Sequence, residues 1–178
     1  DDNDGILDIV TASPSDHDVS VLLGEGDRTF AAPRTFEVYD GTTGTSPQTL
    51  AIGDITGDGV DDVVTGNHGT ENVTVLRGFG DGRLSIARTE STADEPRRVV
   101  AGDLNNDGRL DYVTVNHRSE VYRRSLQRTT GGFDHRNDST LNGSVGDDPL
   151  DVELGLLDGN DFLDVVALSD NDNAISVR

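Results

Sequence analysis

The chain has 178 residues, and its 34 acidic side chains outnumber 14 basic ones, all arginine, which gives a formal net charge of −20. This charge argues against partners that are themselves anionic, such as nucleic acid or an acidic membrane. No cysteine is present, so a disulfide framework is excluded. The sequence also contains no apolar run of the length that a membrane-spanning helix requires.

The first predicted unit covers residues 1–46 and begins inside an acidic loop, called loop 1. Asp2, Asp4 and Asp8 have the spacing of the third, fifth and ninth residues of a nine-residue loop, with Gly5 sixth and Ile6 seventh. Strands are predicted at 7–11, 19–24 and near 29–36. The reason is that short runs rich in Val, Ile and Leu alternate there with Gly-Asp turns.

The second unit, residues 47–95, repeats this order with the whole loop present. A strand led by proline is predicted at 47–53, followed by loop 2 and by strands at 62–65, 73–78 and 84–89. Gly59 is the sixth residue of loop 2. Its first, third, fifth, seventh and ninth residues are Asp54, Thr56, Asp58, Val60 and Asp62.

The third unit, residues 96–148, has predicted strands at 96–102, 111–114 and 121–122. The corresponding positions of its loop 3 are Asp103, Asn105, Asp107, Arg109 and Asp111. The fourth unit, residues 149–178, has strands at 149–155, 164–167 and 175–177. Its loop 4 is eroded, because Leu156 replaces the first ligand and Asp161 replaces the glycine. The oxygen-bearing positions that remain are Asp158, Asn160, Phe162 (through its carbonyl) and Asp164.

The residue types at these positions are those that bind a hard divalent cation. Calcium takes six to eight oxygen ligands, and a glycine at the sixth position lets the backbone reverse through positive φ. Two carboxylates about 4 Å apart repel by about 4 kcal/mol at an effective dielectric constant of about 20, so an empty loop is unfavourable. The sequence therefore predicts one calcium site in each of loops 1–3 and a weak or empty site in loop 4. An EF-hand differs, since its last acidic ligand is twelfth and a helix follows.

The repeats also predict the architecture. The sixth loop residues recur about every 50 residues, and four short antiparallel strands per repeat are typical of a β-propeller blade. The prediction is an all-β propeller segment of about 3.5 blades, with a calcium loop between the first and second strands of each blade. Its exposed sheets favour contact with the remaining blades of the same protein, and self-association is the alternative.

The segments 101–113 and 19–30 resemble the FG-GAP/VCBS repeats of integrin-α-like calcium-binding β-propellers. The resemblance implies an extracellular or cell-surface module, expected to be prokaryotic, in which calcium is structural. It also implies adhesion, or binding of a protein or glycan ligand, by loops opposite the calcium loops. The candidate ligand-binding residues there are Asn67, His68, Asn116 and His117. Asparagine and histidine are also ordinary turn residues, which is the competing interpretation.

Two other interpretations of the function remain open. The chain could be the propeller portion of a secreted carbohydrate-active enzyme, such as a polysaccharide lyase or hydrolase, or an architectural spacer in a large surface protein. No catalytic residue is assigned, because calcium would keep the clustered aspartates ionised and a general acid needs a raised pKa. Arg123 and Arg124 interrupt an otherwise apolar strand; they either face solvent or meet an acidic partner, a sulfated glycan or a neighbouring blade.

Overall fold

The computed structural model describes residues 2, 4–38, 41, 44–92, 94–117, 121–130, 132–137, 149–170 and 174–177. Every regular element in this part of the chain is a β-strand, so the predicted all-β fold is confirmed. Accordingly, no helix among these residues is long and apolar enough to cross a bilayer.

The strands form four antiparallel sheets in chain order, with the patterns β1-β2-β3, β4-β5-β6-β7, β8-β9-β10-β11 and β12-β13-β14. We call them the first to fourth sheets. The first sheet contains β1 (Ile9–Ser13), β2 (Asp18–Leu22) and β3 (Arg34–Glu37), and the second contains β4 (Pro47–Gly53), β5 (Asp62–Asn67), β6 (Asn72–Gly78) and β7 (Leu84–Ser91). The third contains β8 (Pro96–Gly102), β9 (Asp111–Asn116), β10 (Val121–Gln127) and β11 (Phe133–Asn137), and the fourth β12 (Pro149–Gly155), β13 (Asp164–Ser169) and β14 (Ala174–Val177).

Three of these strands have the bounds that proline and glycine predict. β4, β8 and β12 are each seven residues long, with proline as the first residue and glycine as the last. Proline has no N–H to donate and is therefore tolerated at the first residue of a strand. In all three cases the register with the next strand shifts just after the proline.

The strands near the outer edges differ from the prediction. β3 begins at Arg34 and not near residue 29, because Phe30 makes only an isolated bridge to Gly24 and Pro33 lacks an N–H. β10 continues to Gln127 through the two arginines, and β11 is the fourth strand expected of this blade, which the sequence did not locate. Both arginines lie in a strand that pairs with β9 and β11, so the ladder bonds of two neighbours hold this polar segment extended.

The sheets stack face to face as propeller-like blades, with one apolar core between each consecutive pair. Val19, Val63 and Leu76 belong to the core between the first and second sheets. Val64, Val99 and Tyr112 lie between the second and third, and Val113, Tyr122 and Val152 lie between the third and fourth. Neighbouring valines such as Val63 and Val64 thus face opposite cores, as alternation along a strand requires. The first strands contact one another, β4 with β8 and β8 with β12.

Candidate functional site

The acidic loops occupy equivalent places in the sheets. Loop 2 joins β4 to β5, loop 3 joins β8 to β9, loop 4 joins β12 to β13, and loop 1 leads into β1. Gly5, Gly59 and Gly108 have φ values of 82°, 85° and 81°. A Cβ atom at any of the three would meet no atom within 4 Å. The glycine is therefore required by the left-handed turn itself and not by crowding.

The first aspartate of each complete loop holds the turn in shape. The Oδ1 atom of Asp54 accepts the N–H groups of Gly57 and Asp58 at 2.8 and 2.9 Å, and its Oδ2 atom accepts that of Gly59 at 2.9 Å. Asp103 accepts the N–H groups of Asp107 and Gly108 at 3.1 and 2.7 Å. Partial burial opposes ionisation of Asp103, but the backbone N–H bonds outweigh it and lower the pKa of this carboxyl.

The ninth aspartate has a role that the sequence did not reveal. Asp62 accepts the N–H of Thr56 at 2.7 Å and that of Gly78, at the end of the third strand, at 2.8 Å. Asp111 does the same with Leu104 at 3.0 Å and Gln127 at 2.7 Å. Each carboxylate therefore clasps the acidic loop to the end of the third strand.

These clasps are buried, and the burial changes their ionisation. The side chains of Asp62 and Asp111 are inaccessible to solvent. Burial raises the pKa of both carboxyls, the backbone N–H groups pull it down, and the other loop aspartates raise it further. The same clasp exists in part in the other two loops, where Asp8 accepts the N–H of Gly24 and Asp164 that of Leu157.

The fifth aspartates are paired with arginines. One oxygen of Asp58 accepts the N–H of Val60 at 3.0 Å, and the other lies 2.7 Å from Nε of Arg77. Asp107 likewise accepts the N–H of Arg109 at 3.0 Å and forms an ion pair with the Arg109 guanidinium. In this geometry, no group of three or more Asp, Glu, His or Cys side chains among the described residues is gathered around one point.

The donor chemistry of loops 2 and 3 nevertheless fits a hard divalent cation. Their candidate ligands are carboxylates, a hydroxyl (Thr56) or an amide (Asn105), and the main-chain carbonyls of Val60 and Arg109, all of them oxygen donors. Nitrogen or sulfur ligands, which favour transition metals, are not among these residues. The backbone of both loops is already turned. A cation would have to displace the arginines from the fifth aspartates and also draw the loop carboxylates together around one point.

Loop 1 and loop 4 are less complete. In loop 1, Asp4 accepts the N–H of Ile6 at 2.7 Å, as the fifth residues of loops 2 and 3 do. In loop 4, the side-chain amide of Asn160 donates an N–H to Asp158 at 2.7 Å. The oxygen of the same amide, Asn160 Oδ1, accepts the N–H of Phe162 at 2.6 Å. The sequence led us to expect positive φ at Asp161, the sixth residue of loop 4, but Asp161 is not left-handed. Gly159, with a φ of 83°, is the fourth residue of its loop and matches Gly57 and Asn106, which are left-handed at 76° and 56°.

The opposite ends of the sheets carry the candidate ligand-binding residues. His68 lies in the hairpin between β5 and β6, where its N–H donates to Ser46 O at 3.1 Å, and the His117 N–H donates to Glu95 O at 2.9 Å. The hairpins thus meet the linkers that precede β4 and β8; the linker before β12 lies outside the described residues. His68 Nε2 lies 3.2 Å from Glu95 Oε2, and His117 Nδ1 lies 3.3 Å from Arg97.

The asparagines of this group are not at the surface. Asn67 and Asn116 are both 0% exposed. The Asn67 side chain donates to Asn72 Oδ1 at 2.7 Å and to Thr74 Oγ1 at 2.9 Å. Asn67 therefore belongs to a buried hydrogen-bond network, and a ligand at this face would reach the histidines and not the asparagines.

Polar side chains also connect successive sheets, which the sequence did not predict in detail. Arg123 donates to the main-chain oxygen of Ser91 in the second sheet. Of the alternatives left open for this residue, contact with a neighbouring blade is therefore the one observed. Gln127 donates to Ile55 O at 2.7 Å, and Asn106 donates to Asp161 O at 2.8 Å. The Gln127 bond therefore ties loop 2 to the third sheet, and the Asn106 bond ties loop 3 to loop 4.

Comparison with known proteins gives one family. The sequence model described as FG-GAP-like repeat matches the chain at residues 2–65 and again at 54–114. The search of curated proteins found no match. Together the two matches cover loops 1, 2 and 3 and the strands between them.

Proposed function

The chain belongs to the FG-GAP-like repeat family, and from this we propose that it is a calcium-binding β-propeller module of a secreted or cell-surface protein. Calcium has a structural role in this proposal. Its ligands are the odd-numbered positions of loops 1–3, and loop 4 binds it weakly or not at all.

The observation that carries the calcium proposal is the geometry of loops 2 and 3. In each loop a left-handed glycine and a carboxylate bound to successive N–H groups hold the backbone closed, so several acidic side chains share one short turn. When bound, the cation would supply the positive charge that offsets their mutual repulsion. The ninth aspartates already tie these loops to the third strands, so a cation would stiffen an existing cross-link.

Chelation of calcium tests this proposal. We expect the melting temperature in millimolar calcium to fall by many degrees when EDTA is added, because the loop carboxylates are then left uncompensated. The Asp107→Ala variant should lose most of this calcium-dependent stabilisation from loop 3, whereas Asp158→Ala in the eroded loop 4 serves as its matched control. An unchanged melting curve with EDTA, or equal losses in the two variants, would contradict the proposal.

We further propose that the module binds a protein or glycan ligand at the face opposite the calcium loops and does not catalyse a reaction. What supports this is the grouping of hairpins and linkers around His68 and His117 at that face, with their polar groups partly exposed. Loops carried by rigid sheets are common places for recognition.

A glycan array and a turnover assay on polysaccharides distinguish this role from the alternatives. Binding without product release, weakened in a variant with both His68→Ala and His117→Ala, is the expected result. Release of oligosaccharides would instead favour a carbohydrate-active enzyme. The absence of binding to glycans and to candidate protein ligands would favour an architectural spacer.

A further inference from the structure

The third sheet departs from the first two at the residue whose N–H binds the ninth aspartate of the acidic loop. That residue is Gly24 in the first sheet, Gly78 in the second and Gln127 in the third. A Cβ atom would lie 2.5 Å from Leu7 O at Gly24 and 2.0 Å from Asp61 O at Gly78. The first two sheets therefore exclude a side chain at this position, whereas the third sheet carries a long polar one.

The Gln127 side chain reaches back to the acidic loop of the preceding sheet. Its Nε2 atom donates to Ile55 O at 2.7 Å and lies 3.2 Å from the place that a Cβ atom of Gly57 would take. Ile55 is the second residue of loop 2 and stands between the candidate ligands Asp54 and Thr56. Gln127 is only 5% exposed, so water does not compete for this bond.

The main chain of Gln127 is bound by the acidic loop of its own sheet. Its N–H donates to Asp111 Oδ1 at 2.7 Å, and its carbonyl oxygen accepts Nε of Arg109 at 3.4 Å. Asp111 and Arg109 are the ninth and seventh residues of loop 3, both of them candidate ligand positions. One buried residue therefore contacts loop 3 through its main chain and loop 2 through its side chain.

Both main-chain contacts of Gln127 involve groups that a cation in loop 3 would hold. In the structure Arg109 forms an ion pair with Asp107, and Asp111 accepts two backbone N–H groups. An ion bonded to the Asp111 carboxylate would restrict its motion and, through the N–H bond, that of Gln127. Because Gln127 also holds Ile55 O, the segment between the first and third ligands of loop 2 would then be ordered in advance. A loop that is already ordered pays a smaller entropy cost when it binds an ion.

We propose that Gln127 is a positioning residue that couples loops 2 and 3, so that a calcium ion in either loop raises the affinity of the other for calcium. The effect is reciprocal, because coupling free energies between two binding sites are the same in both directions. This inference rests on the proposed calcium function and adds cooperativity between two of its sites. The coupling does not extend to loop 1 by the same route, since Gly78 has no side chain that could reach that loop.

A double-mutant cycle measures the coupling. Calcium titrations followed by NMR resolve the two loops through the backbone amide signals of their sixth residues, Gly59 and Gly108. Asp107→Ala, which disables loop 3, should weaken calcium binding at Gly59 by about fivefold or more. In Gln127→Met, which keeps the side-chain volume but cannot donate to loop 2, the same Asp107→Ala change should alter binding at Gly59 by less than about twofold.

A control variant removes a different bond between loops. Asn106→Gly deletes the donor to Asp161 O that ties loop 3 to loop 4, and it keeps the left-handed turn because glycine already stands fourth in loops 2 and 4. The effect of Asp107→Ala on binding at Gly59 should persist in this variant. Circular dichroism establishes that all variants fold. If Gln127→Met does not, Gln127→Gly takes its place, with the residue that the first two sheets have there.

Two results would overturn the coupling and leave the calcium sites in place. One is calcium binding at Gly59 that does not respond to Asp107→Ala. The other is an equal response with and without the Gln127 amide, which would route the coupling elsewhere. A different result, in which neither glycine amide shifts in millimolar calcium, would overturn the proposed calcium function itself and the coupling with it.

Discussion

At the scale of single residues, the ninth aspartates do more than the spacing of the loops predicts. The sequence assigned Asp62 and Asp111 only to a cation. In the structure each is buried and accepts two backbone N–H groups from different segments of its blade. The sequence could not reveal this clasp, because its second donor comes from the end of the third strand, 16 residues further along the chain.

The clasp can be tested separately from calcium binding. In EDTA, we expect Asp111→Asn to reduce the free energy of unfolding by about 1–3 kcal/mol, because the amide NH₂ cannot accept a hydrogen bond and one buried N–H is left unpaired. Urea denaturation measures this loss. The control is Asp158→Asn, at an exposed residue of loop 4, which should change it by less than about 0.5 kcal/mol. Similar values for the two variants would contradict the clasp.

Tyr112 supports a prediction about alkaline pH. Its buried ring packs edge-on against Phe133, with the ring centroids 4.8 Å apart, and its hydroxyl donates to Glu90 Oε2 at 3.0 Å. Burial, followed by the charge of Glu90, raises the pKa of this phenol well above its usual value. A raised pKa contributes stability that is present below the unfolded pKa of about 10 and is lost as pH rises beyond it.

We therefore expect the free energy of unfolding to fall as pH rises above about 10, with a smaller slope in Tyr112→Phe. Ultraviolet absorbance should show that the Tyr112 tyrosinate, identified as the signal lost in Tyr112→Phe, forms only when the chain unfolds. Titration of every tyrosine in the folded protein near pH 10 would be inconsistent with this burial.

At the scale of elements, proline and glycine made much of the fold predictable. β4, β8 and β12 have the predicted bounds in part because proline, which has no N–H to donate, is tolerated at the first residue of a strand. The closing glycines of β4 and β8 have a tertiary reason, since a Cβ atom at Gly53 or Gly102 would collide with leucine side chains of the following unit. The position of β11 was not predicted because its sequence, Phe133–Asn137, has a single apolar residue, and pairing with β10 holds it extended. The burial of Asn67 was missed for a similar reason, since its partners lie on the neighbouring strand.

The turn glycines permit a graded test. Gly108 has a φ of 81° and open space around its Cβ position, so substitution costs backbone conformation alone. Gly108→Val should reduce the free energy of unfolding by about 1–2 kcal/mol, and Gly108→Asn by less, because asparagine enters the left-handed region more readily. Thermal melts in EDTA measure both. If asparagine cost as much as valine, the left-handed turn would not be the reason for the glycine.

At the scale of the whole molecule, charge and architecture are linked. The net charge of −20 is concentrated partly in loops that share one end of the sheets, and bonds such as Asn106 to Asp161 bring successive loops close. Without a divalent cation, this end of the molecule carries repulsion that monovalent salt screens, with a Debye length of about 10 Å at 0.1 M.

We expect the melting temperature in EDTA to rise with sodium chloride between about 0.05 and 0.5 M, because the screening length falls over this range. In saturating calcium the same salt series should raise it much less, since the loop carboxylates are already compensated. A salt dependence that is the same with and without calcium would place the destabilising repulsion outside the acidic loops.

The most direct test of the account is a crystal structure determined in millimolar calcium, with anomalous scattering used to identify ions. We expect an ion in loop 2 and in loop 3, about 2.3–2.6 Å from oxygens at the odd-numbered loop positions, with Asp58 and Asp107 turned from Arg77 and Arg109 toward it. Loops without an ion under these conditions, with both arginine pairs intact, would contradict the central claim that these aspartate turns are calcium sites.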